Sequence, residues 1–149
     1  MSRLSPPGPA PTLHQMPGHL VRRLQQVAVR LFAERVEDDL TPVQYAALAA
    51  AARHPGLDQV SLGSLIGYDR TTIGGVIDRL ESKGWVARSA AAGDRRLKLV
   101  GLTAAGRAVL QRAAAQVEQV QAQLVEPLSD AERRQFERIC LKLLAHHAG

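Results

Sequence analysis

The chain has little of what disulfide-rich or membrane proteins need. Its single cysteine, Cys140, excludes an internal disulfide. No uninterrupted apolar run approaches the roughly 18 residues that span a bilayer, so we expect no membrane partner. The first residues also do not join a positive segment to a continuous apolar one, as a secretion signal does. These absences together predict a cytoplasmic protein.

The sequence also lacks the motifs of the common enzyme classes. It contains no phosphate-binding glycine loop, no convincing metal triad and no nucleophile with a local base. His146 and His147 are adjacent, so on a helix they diverge by about 100°, and no third ligand is near. Cys140 lies on an apolar helical face, where cysteine usually packs as a small hydrophobe. We therefore expect neither an enzyme, nor a bound metal, nor a cofactor.

Positive charge is what the chain has in excess. Its 149 residues suit one folded domain and carry a formal net charge of +5. The segment from Tyr68 to Arg107 holds eight basic residues against four acidic ones, so most of that net charge is concentrated there. Because phosphate attracts basic surfaces regardless of base sequence, this segment predicts a polyanionic partner.

Apolar periodicity and capping residues divide the chain into helices. Residues 1–17 hold five of the eight prolines and few large apolar groups, which predicts a flexible arm. The next segment, 18–38, is predicted to be a helix because apolar residues recur at steps of four, three and four, at Leu20, Leu24, Val27 and Leu31. Thr41 and Pro42 are the predicted N-cap and first residue of a second helix that ends near residues 54–56.

Two short helices separated by a tight turn follow. Asp58 is placed to cap the first helix, Gly67 to end it, and Asp69 to cap the second. The second helix has an inward apolar face formed by Ile73, Val76, Ile77 and Leu80. Because so short a turn makes the two helices cross steeply, the pair predicts a helix-turn-helix.

A hairpin and two long helices complete the chain. Segments 85–88 and 97–100 suit short strands around a tip at 89–93. Thr103 opens a long amphipathic helix, and a capping box from Ser129 to Glu132 opens the last one. Apolar seams at both ends of the chain predict that the terminal helices join two subunits.

Three segments together resemble the MarR family of winged-helix transcription regulators. They are the helix Asp69–Leu80, its exit Glu81–Arg88, and the wing sequence Asp94-Arg95-Arg96 leading to Leu102-Thr103. The resemblance implies a mainly α fold with a small β-hairpin wing, formed by a single domain over 18–149. Within it, 41–103 would be the winged helix-turn-helix, and 18–39 and 104–149 the dimerisation helices.

The resemblance also implies a homodimer that places one winged helix on each half of a pseudo-palindromic operator in double-stranded DNA. A helix in the major groove contacts bases from its N-terminal residues. Thr71, Thr72 and Gly74 are the predicted base-facing residues, and Arg70 contacts a base or a phosphate. Ordinary solvent exposure is the alternative for all four. Glycine in a helix interior costs about 1 kcal/mol relative to alanine. The pair Gly74-Gly75 therefore needs an explanation, and close approach of the helix backbone to DNA is one.

The wing residues take their roles from the same resemblance. Asp94 is expected to brace Arg96, and Arg96 to enter a narrow minor groove, where negative potential is concentrated. Arg95 and Lys98 are predicted phosphate contacts, which add affinity without base specificity. A plain solvated hairpin is the alternative.

Many members of the family release DNA when a small aromatic, anionic molecule binds. His19, Arg22 and Arg23 at the start of the first helix, with Tyr45 on the second, are the predicted ligand-binding residues, because arginine bonds a carboxylate through two donors. Surface charge and a helix-start histidine are equally compatible with the first three positions, and an aromatic residue at the Tyr45 position is more often part of the core.

The sequence thus predicts a ligand-responsive repressor whose effector is an aromatic acid or a related catabolite. The alternative is a DNA-binding regulator or architectural protein without an effector.

Overall fold

The structure, a computed structural model, describes residues 8–148 as a 3-10 turn, six α-helices and one antiparallel hairpin. After the turn at Leu13–Gln15, the elements are α1 (Pro17–Arg35), α2 (Pro42–Arg53), α3 (Gln59–Leu65), α4 (Arg70–Ser82), β1 (Val86–Ala91), β2 (Asp94–Leu102), α5 (Ala104–Leu124) and α6 (Asp130–His147). The predicted fold class, mainly α with a small β-hairpin wing, is confirmed.

The N-terminal boundaries differ from those predicted. The 3-10 turn and Pro17 fall within the segment 1–17 that the prolines predicted to be a flexible arm, and Pro17 begins α1. Proline suits a first helical position because its missing N–H would have no helical partner there. The helix ends at Arg35 rather than near residue 38, because the backbone is already extended at Val36, with φ −93° and ψ 123°. Asp38 and Asp39 then adopt φ values of 67° and 51°, outside the right-handed helical region. Residues 1–7 of the predicted arm lie outside the described residues.

The predicted helix caps are confirmed. The Thr41 Oγ1 atom accepts a hydrogen bond from the Gln44 N–H at 3.2 Å, and the Gln44 side chain accepts one from the Thr41 N–H in return. The same bond to the N–H three residues ahead is made by the N-cap side chains of α3, α4, α5 and α6, which are Asp58, Asp69, Thr103 and Ser129. These bonds satisfy N–H groups that a helix start otherwise leaves without partners.

The core surrounds the inner face of α4. Its fully buried side chains Ile73, Ile77 and Leu80 lie in one cluster with Leu48 of α2 and Leu62 of α3. Burying an aliphatic side chain of this size contributes about 2 kcal/mol, so α4 is fixed from the inside while its opposite face stays in solvent.

A glycine allows α3 and α4 to cross closely. A Cβ atom at Gly63 would lie 2.9 Å from the Tyr68 carbonyl oxygen and 3.0 Å from the Ile73 side chain. The chain turns between the helices at Gly67, whose φ of +81° suits glycine. The steep helix-turn-helix predicted from the short turn therefore needs a small residue at position 63 as well.

The hairpin is longer than the sequence predicted. Both predicted strands were too short and the tip at 89–93 too long, because β1 continues to Ala91 and only Ala92 and Gly93 form the turn. Alanine has a weak preference for strands, so the alanines of β1 gave no strand signal. Pairing joins Ala90 to Lys98 but Ala91 to Asp94, which leaves the three residues 95–97 of β2 as a bulge.

Both terminal helices expose apolar side chains in the single chain. On α1, Leu31 is buried, whereas Leu20 and Leu24 are 41% and 45% exposed. No described residue of α6 is buried, and Ile139 and Leu143 are 42% and 53% exposed. Contiguous exposed apolar surface of this kind marks an interaction site.

No helix within residues 8–148 is both long enough and apolar enough to cross a bilayer. Over the same range, the His, Cys, Asp and Glu side chains form no group of three that could hold a metal ion.

Candidate nucleic-acid interface

The N-terminal turn of α4 is exposed and preorganised. The Asp69 carboxylate accepts a hydrogen bond from the Thr72 N–H at 2.8 Å, and this bond holds the pKa of Asp69 below its usual range. Arg70, Thr71 and Thr72 are exposed, and Gly74 is half-buried. Thr71 and Thr72 therefore lie on the outer side of a helix whose inner side is fixed in the core, and Gly74 lies at the edge of that outer side.

The two glycines of α4 have different surroundings. A Cβ atom at Gly74 would lie 3.5 Å from the Gln59 side-chain nitrogen, an ordinary contact. A Cβ at Gly75 would meet no atom of the described chain within 4 Å. Neither residue has a positive φ. Nothing in the described fold requires glycine at position 75, although glycine weakens the helix there.

The bulge in β2 presents the wing arginines. The Asp94 Oδ1 atom accepts a hydrogen bond from the Arg96 backbone N–H at 3.0 Å, so the described contact braces the main chain of Arg96 rather than its guanidinium. Arg95, Arg96 and Lys98 are all exposed. Because a bulge redirects the side chains it carries, Arg95 and Arg96 leave the hairpin on different sides.

Two clefts show this division. A cleft of about 450 Å³ between the start of α3, the start of α4 and the wing is lined by Arg70, Arg96 and Lys98, with Asp58 and Asp94 beside them. A second cleft of about 340 Å³ lies between the end of α4 and the hairpin. Arg95 lines this cleft, and its whole lining is Glu81, Arg88, Ser89, Ala90, Arg95 and Lys98. The structure thus brings Arg70 together with Arg96 in one cleft and places Arg95 in the other, while Lys98 lines both.

The wing is docked on the loop before α3. The Val100 N–H donates a hydrogen bond to the Leu57 carbonyl at 3.0 Å, and Asp58 forms an isolated bridge with Leu99. The Ser61 hydroxyl donates to Asp58 at 2.5 Å, and this bond, with that of the Ser61 N–H, lowers the pKa of Asp58. The hairpin therefore does not extend freely into solvent but is tied to the helix-turn-helix.

The basic residues of the segment 68–107 divide into paired and unpaired groups. Arg88 forms ion pairs with Asp78 and Glu81, and Lys83 lies 3.8 Å from an Asp39 carboxylate oxygen. Among residues 8–148, the exposed cations of α4 and the wing that form no salt bridge are Arg70, Arg79, Arg95, Arg96 and Lys98. Apart from Arg107 on α5, the basic residues of this segment that form no salt bridge within residues 8–148 therefore lie on α4 and the wing.

The predicted ligand residues lie at two places in the described part of the chain, three at the start of α1 and Tyr45 on α2. Arg22 donates a hydrogen bond to His19 Nδ1 at 3.0 Å, and Arg23 is exposed on the same helix. Tyr45 packs edge-on against Phe32 at a ring distance of 6.5 Å. Of the four predicted residues, only Tyr45 lines the cleft between α2 and α5, which has a volume of about 570 Å³.

Sequence reasoning missed the cations of that cleft. Arg53 and His54, at the end of α2, share its lining with the apolar residues Ala49, Leu65, Ile66 and Leu110. A neighbouring cavity of about 320 Å³ shares Ala52 and Leu110 with it. One feature of the sequence could have pointed to this cleft. Arg53 and His54 come at the end of a helix rich in small residues, and small side chains leave space beside a helix.

These features define a class of protein, a winged-helix module for binding nucleic acid, with a cationic face opposite its core. The chain matches the model of the MarR family over residues 40–98. It is 31% identical to the transcriptional regulator HosA of Escherichia coli O157:H7, over 89% of this chain and 98% of that protein.

Two solved structures with a similar fold support the same family. One shows BpsR of Bordetella bronchiseptica, described by its regulation of DNA binding by 6-hydroxynicotinic acid. It is 31% identical with a TM-score of 0.86, and the match covers 91% of this chain and 97% of that one. Another shows a mutant MarR of Escherichia coli complexed with operator DNA, 29% identical with a TM-score of 0.79, covering 85% and 92%. The chain belongs to the MarR family and is a transcriptional regulator.

Proposed function

We propose that the protein is a homodimeric repressor that binds a pseudo-palindromic operator through two winged helices. The observation that supports this most strongly is the cleft where Arg70 of α4 meets Arg96 and Lys98 of the wing. An exposed helix N-terminus beside cations attracts phosphate through its N–H groups and its dipole. The operator DNA in the related MarR structure favours the same partner here.

The residues of this surface have separate roles. Thr71 and Thr72, with Gly74, face the base edges of the major groove, and Arg70 binds a base or the phosphate beside it. Arg96 enters the minor groove, with Asp94 holding its main chain. Arg95 and Lys98 contact phosphates.

Selection from genomic DNA tests this function. The purified chain is mixed with sheared genomic fragments, the retained fragments are sequenced, and their affinity is compared with that of scrambled duplexes at the same salt concentration. A specific regulator binds its best fragment at least about 10³ times more tightly than random DNA. Equal affinity for both would contradict the proposal and favour an architectural protein.

We further propose that an aromatic acid releases the DNA by binding in the cleft between α2 and α5. Its volume suits a small ligand. Alanine and leucine side chains with Tyr45 would hold the ring, and Arg53 and His54 would hold the carboxylate. The action of 6-hydroxynicotinic acid on BpsR supports this class of effector. A ligand between α2 and α5 changes the balance between dimers whose α4 helices fit the operator and dimers whose helices do not.

The effector is tested with a panel of benzoate-like, nicotinate-like and hydroxycinnamate-like acids, measured by thermal shift and by operator release. Arg53→Gln should abolish the response to an active compound and leave operator binding without ligand unchanged. Arg23→Gln is the matched control. If Arg23→Gln abolishes the response instead, the effector binds at the start of α1. If no compound acts, a regulator without an effector is favoured.

A further inference from the structure

Arg88 occupies an unusual position between the wing and α4. It belongs to β1, where it pairs with the buried Val100 of β2, yet its side chain points to the helix. Only 17% of that side chain is exposed. A guanidinium so far buried must be matched by acceptors, because an unpaired buried charge is costly.

The acceptors all belong to α4. The Arg88 Nη2 atom donates to Asp78 Oδ1 at 2.5 Å and to the Gly74 carbonyl oxygen at 3.3 Å. Its Nη1 lies 3.9 Å from Glu81 Oε1, and its backbone N–H donates to Glu81 Oε2 at 3.2 Å. One β-strand residue therefore contacts α4 at three points spanning two turns.

The contacts lie where α4 is weakest. Gly74 and Asp78 are the two ends of one helical turn, and that turn contains Gly75. Each glycine costs about 1 kcal/mol of helix stability relative to alanine. Because Arg88 bonds both ends of the turn, it holds together the part of the helix that the glycines loosen.

The same contacts fix the wing. Arg88 is two residues after the start of β1, and the bulge with Arg96 lies further along the same hairpin. The direction of the guanidinium bonds therefore sets the angle between the hairpin and α4. The Nε atom of Arg88 is buried without a hydrogen-bond partner among residues 8–148, which is consistent with a side chain held by its outer nitrogens alone.

We propose that Arg88 is a positioning residue for DNA binding. It holds the glycine-containing turn of α4 and the wing in the relative orientation that lets both contact one operator half-site, and it does not itself bind phosphate. This inference rests on the proposed DNA-binding function. It distinguishes Arg88 from Arg95, which lines the same cleft but is exposed and forms no salt bridge in the described chain.

The test compares Arg88→Lys and Arg88→Gln with the matched control Arg95→Gln, using the best genomic fragment and a series of salt concentrations. Lysine keeps the charge but cannot bond Asp78, Gly74 and Glu81 at once. We expect affinity to fall about tenfold for Arg88→Lys, the equivalent of about 1.4 kcal/mol, and further for Arg88→Gln. The dependence on salt should stay unchanged in both, whereas Arg95→Gln should lower its slope by about one.

A footprint with hydroxyl radicals separates positioning from general stability. In the Arg88 variants, α4 and the wing should both still protect the duplex, because the phosphate contacts that set the salt slope are kept. The distance between the two protected stretches should change instead. If Arg88→Gln does not fold, Asp78→Asn removes the same ion pair from the helix side. A lower salt slope in Arg88→Lys would show that Arg88 binds phosphate and overturn the inference. So would normal affinity and footprint in all folded variants. If the unmodified chain bound no fragment specifically, the proposed function itself would fail.

Discussion

Gly75 is the residue whose identity the described fold explains least. Gly63 is enclosed by Tyr68 and Ile73, and Gly67 has a positive φ, so each has a structural reason to be glycine. Gly75 is exposed, helical and open to solvent. The fold of the free chain therefore does not explain why position 75 is glycine. The proposed function supplies an explanation, which is the close approach of DNA to the helix backbone.

Gly75→Ala should stabilise the free protein and weaken operator binding. Alanine gains about 1 kcal/mol of helix stability, which should raise the melting temperature by a few degrees. The added methyl group should hinder the approach of DNA. Gly18→Ala in the first turn of α1, where a Cβ also meets nothing within 4 Å, is the control for stability. Operator affinity equal to that of the unmodified chain would show that Gly75 does not lie at the DNA.

Arg96→Ala should weaken operator binding and lower the salt slope by about one, while the protein stays folded and dimeric. Its side chain carries a free charge, and only its backbone N–H has a described partner. Arg30→Ala removes the same charge from α1, where Arg30 pairs with Glu34, and should leave binding nearly unchanged. Binding of Arg96→Ala at full strength would contradict the role assigned to the wing.

At the scale of elements, α4 depends on its N-cap. Because the Thr72 N–H lowers the pKa of Asp69 in the folded state, this carboxylate stabilises the fold above its unfolded value of about 3.8. That stabilisation is lost as the pH falls through the lower, folded pKa.

Asp69→Ala should therefore melt at a lower temperature than the unmodified chain at pH 7, and the gap should narrow as the pH falls below about 4. Thermal unfolding followed by circular dichroism over that range measures it. A gap that stays constant with pH would show that the carboxylate charge does not matter at this cap.

The elements also show how far the sequence predicts this fold. Thr41, Asp58, Asp69, Thr103 and Ser129 were all identifiable as caps, because capping depends only on a side chain and an N–H three residues ahead. The hairpin was underestimated, since its bulge and tip depend on pairing between distant residues rather than on local preference. Arg88 could not be recognised for the same reason: its partners on α4 lie seven to fourteen residues away.

At the scale of the whole molecule, α1 and α6 each have an apolar face that stays exposed to solvent in the single chain. The apolar seam predicted at the C-terminal end of the chain lies on α6, and the structure leaves its Ile139 and Leu143 largely in solvent. The cleft beside Tyr45 could not be predicted from the sequence alone. Tyr45, Arg53 and His54 all belong to α2 or its end, but the cleft that they line is enclosed by Leu65, Ile66 and Leu110, which come from the end of α3 and from α5. The roles of His19, Arg22 and Arg23 in ligand binding stay predictions.

Replacing Ile139 and Leu143 together by Glu should give a folded monomer with much weaker operator binding. Two buried charges in an apolar interface oppose association strongly, and a monomer contacts only one half-site. Leu141→Glu is the control, since position 141 faces away from these two residues on a helix. Sedimentation velocity measures the association state. A dimer that survives the double replacement would place the subunit interface elsewhere.

The most direct test of the whole account is the number of chains on one operator and the spacing of their contacts. Sedimentation of the labelled genomic fragment with excess protein, followed by footprinting, gives both. The account predicts two chains per fragment and two protected half-sites about one helical turn apart, 10 base pairs or so between centres. A single bound chain, or protection spread evenly along the duplex, would contradict it.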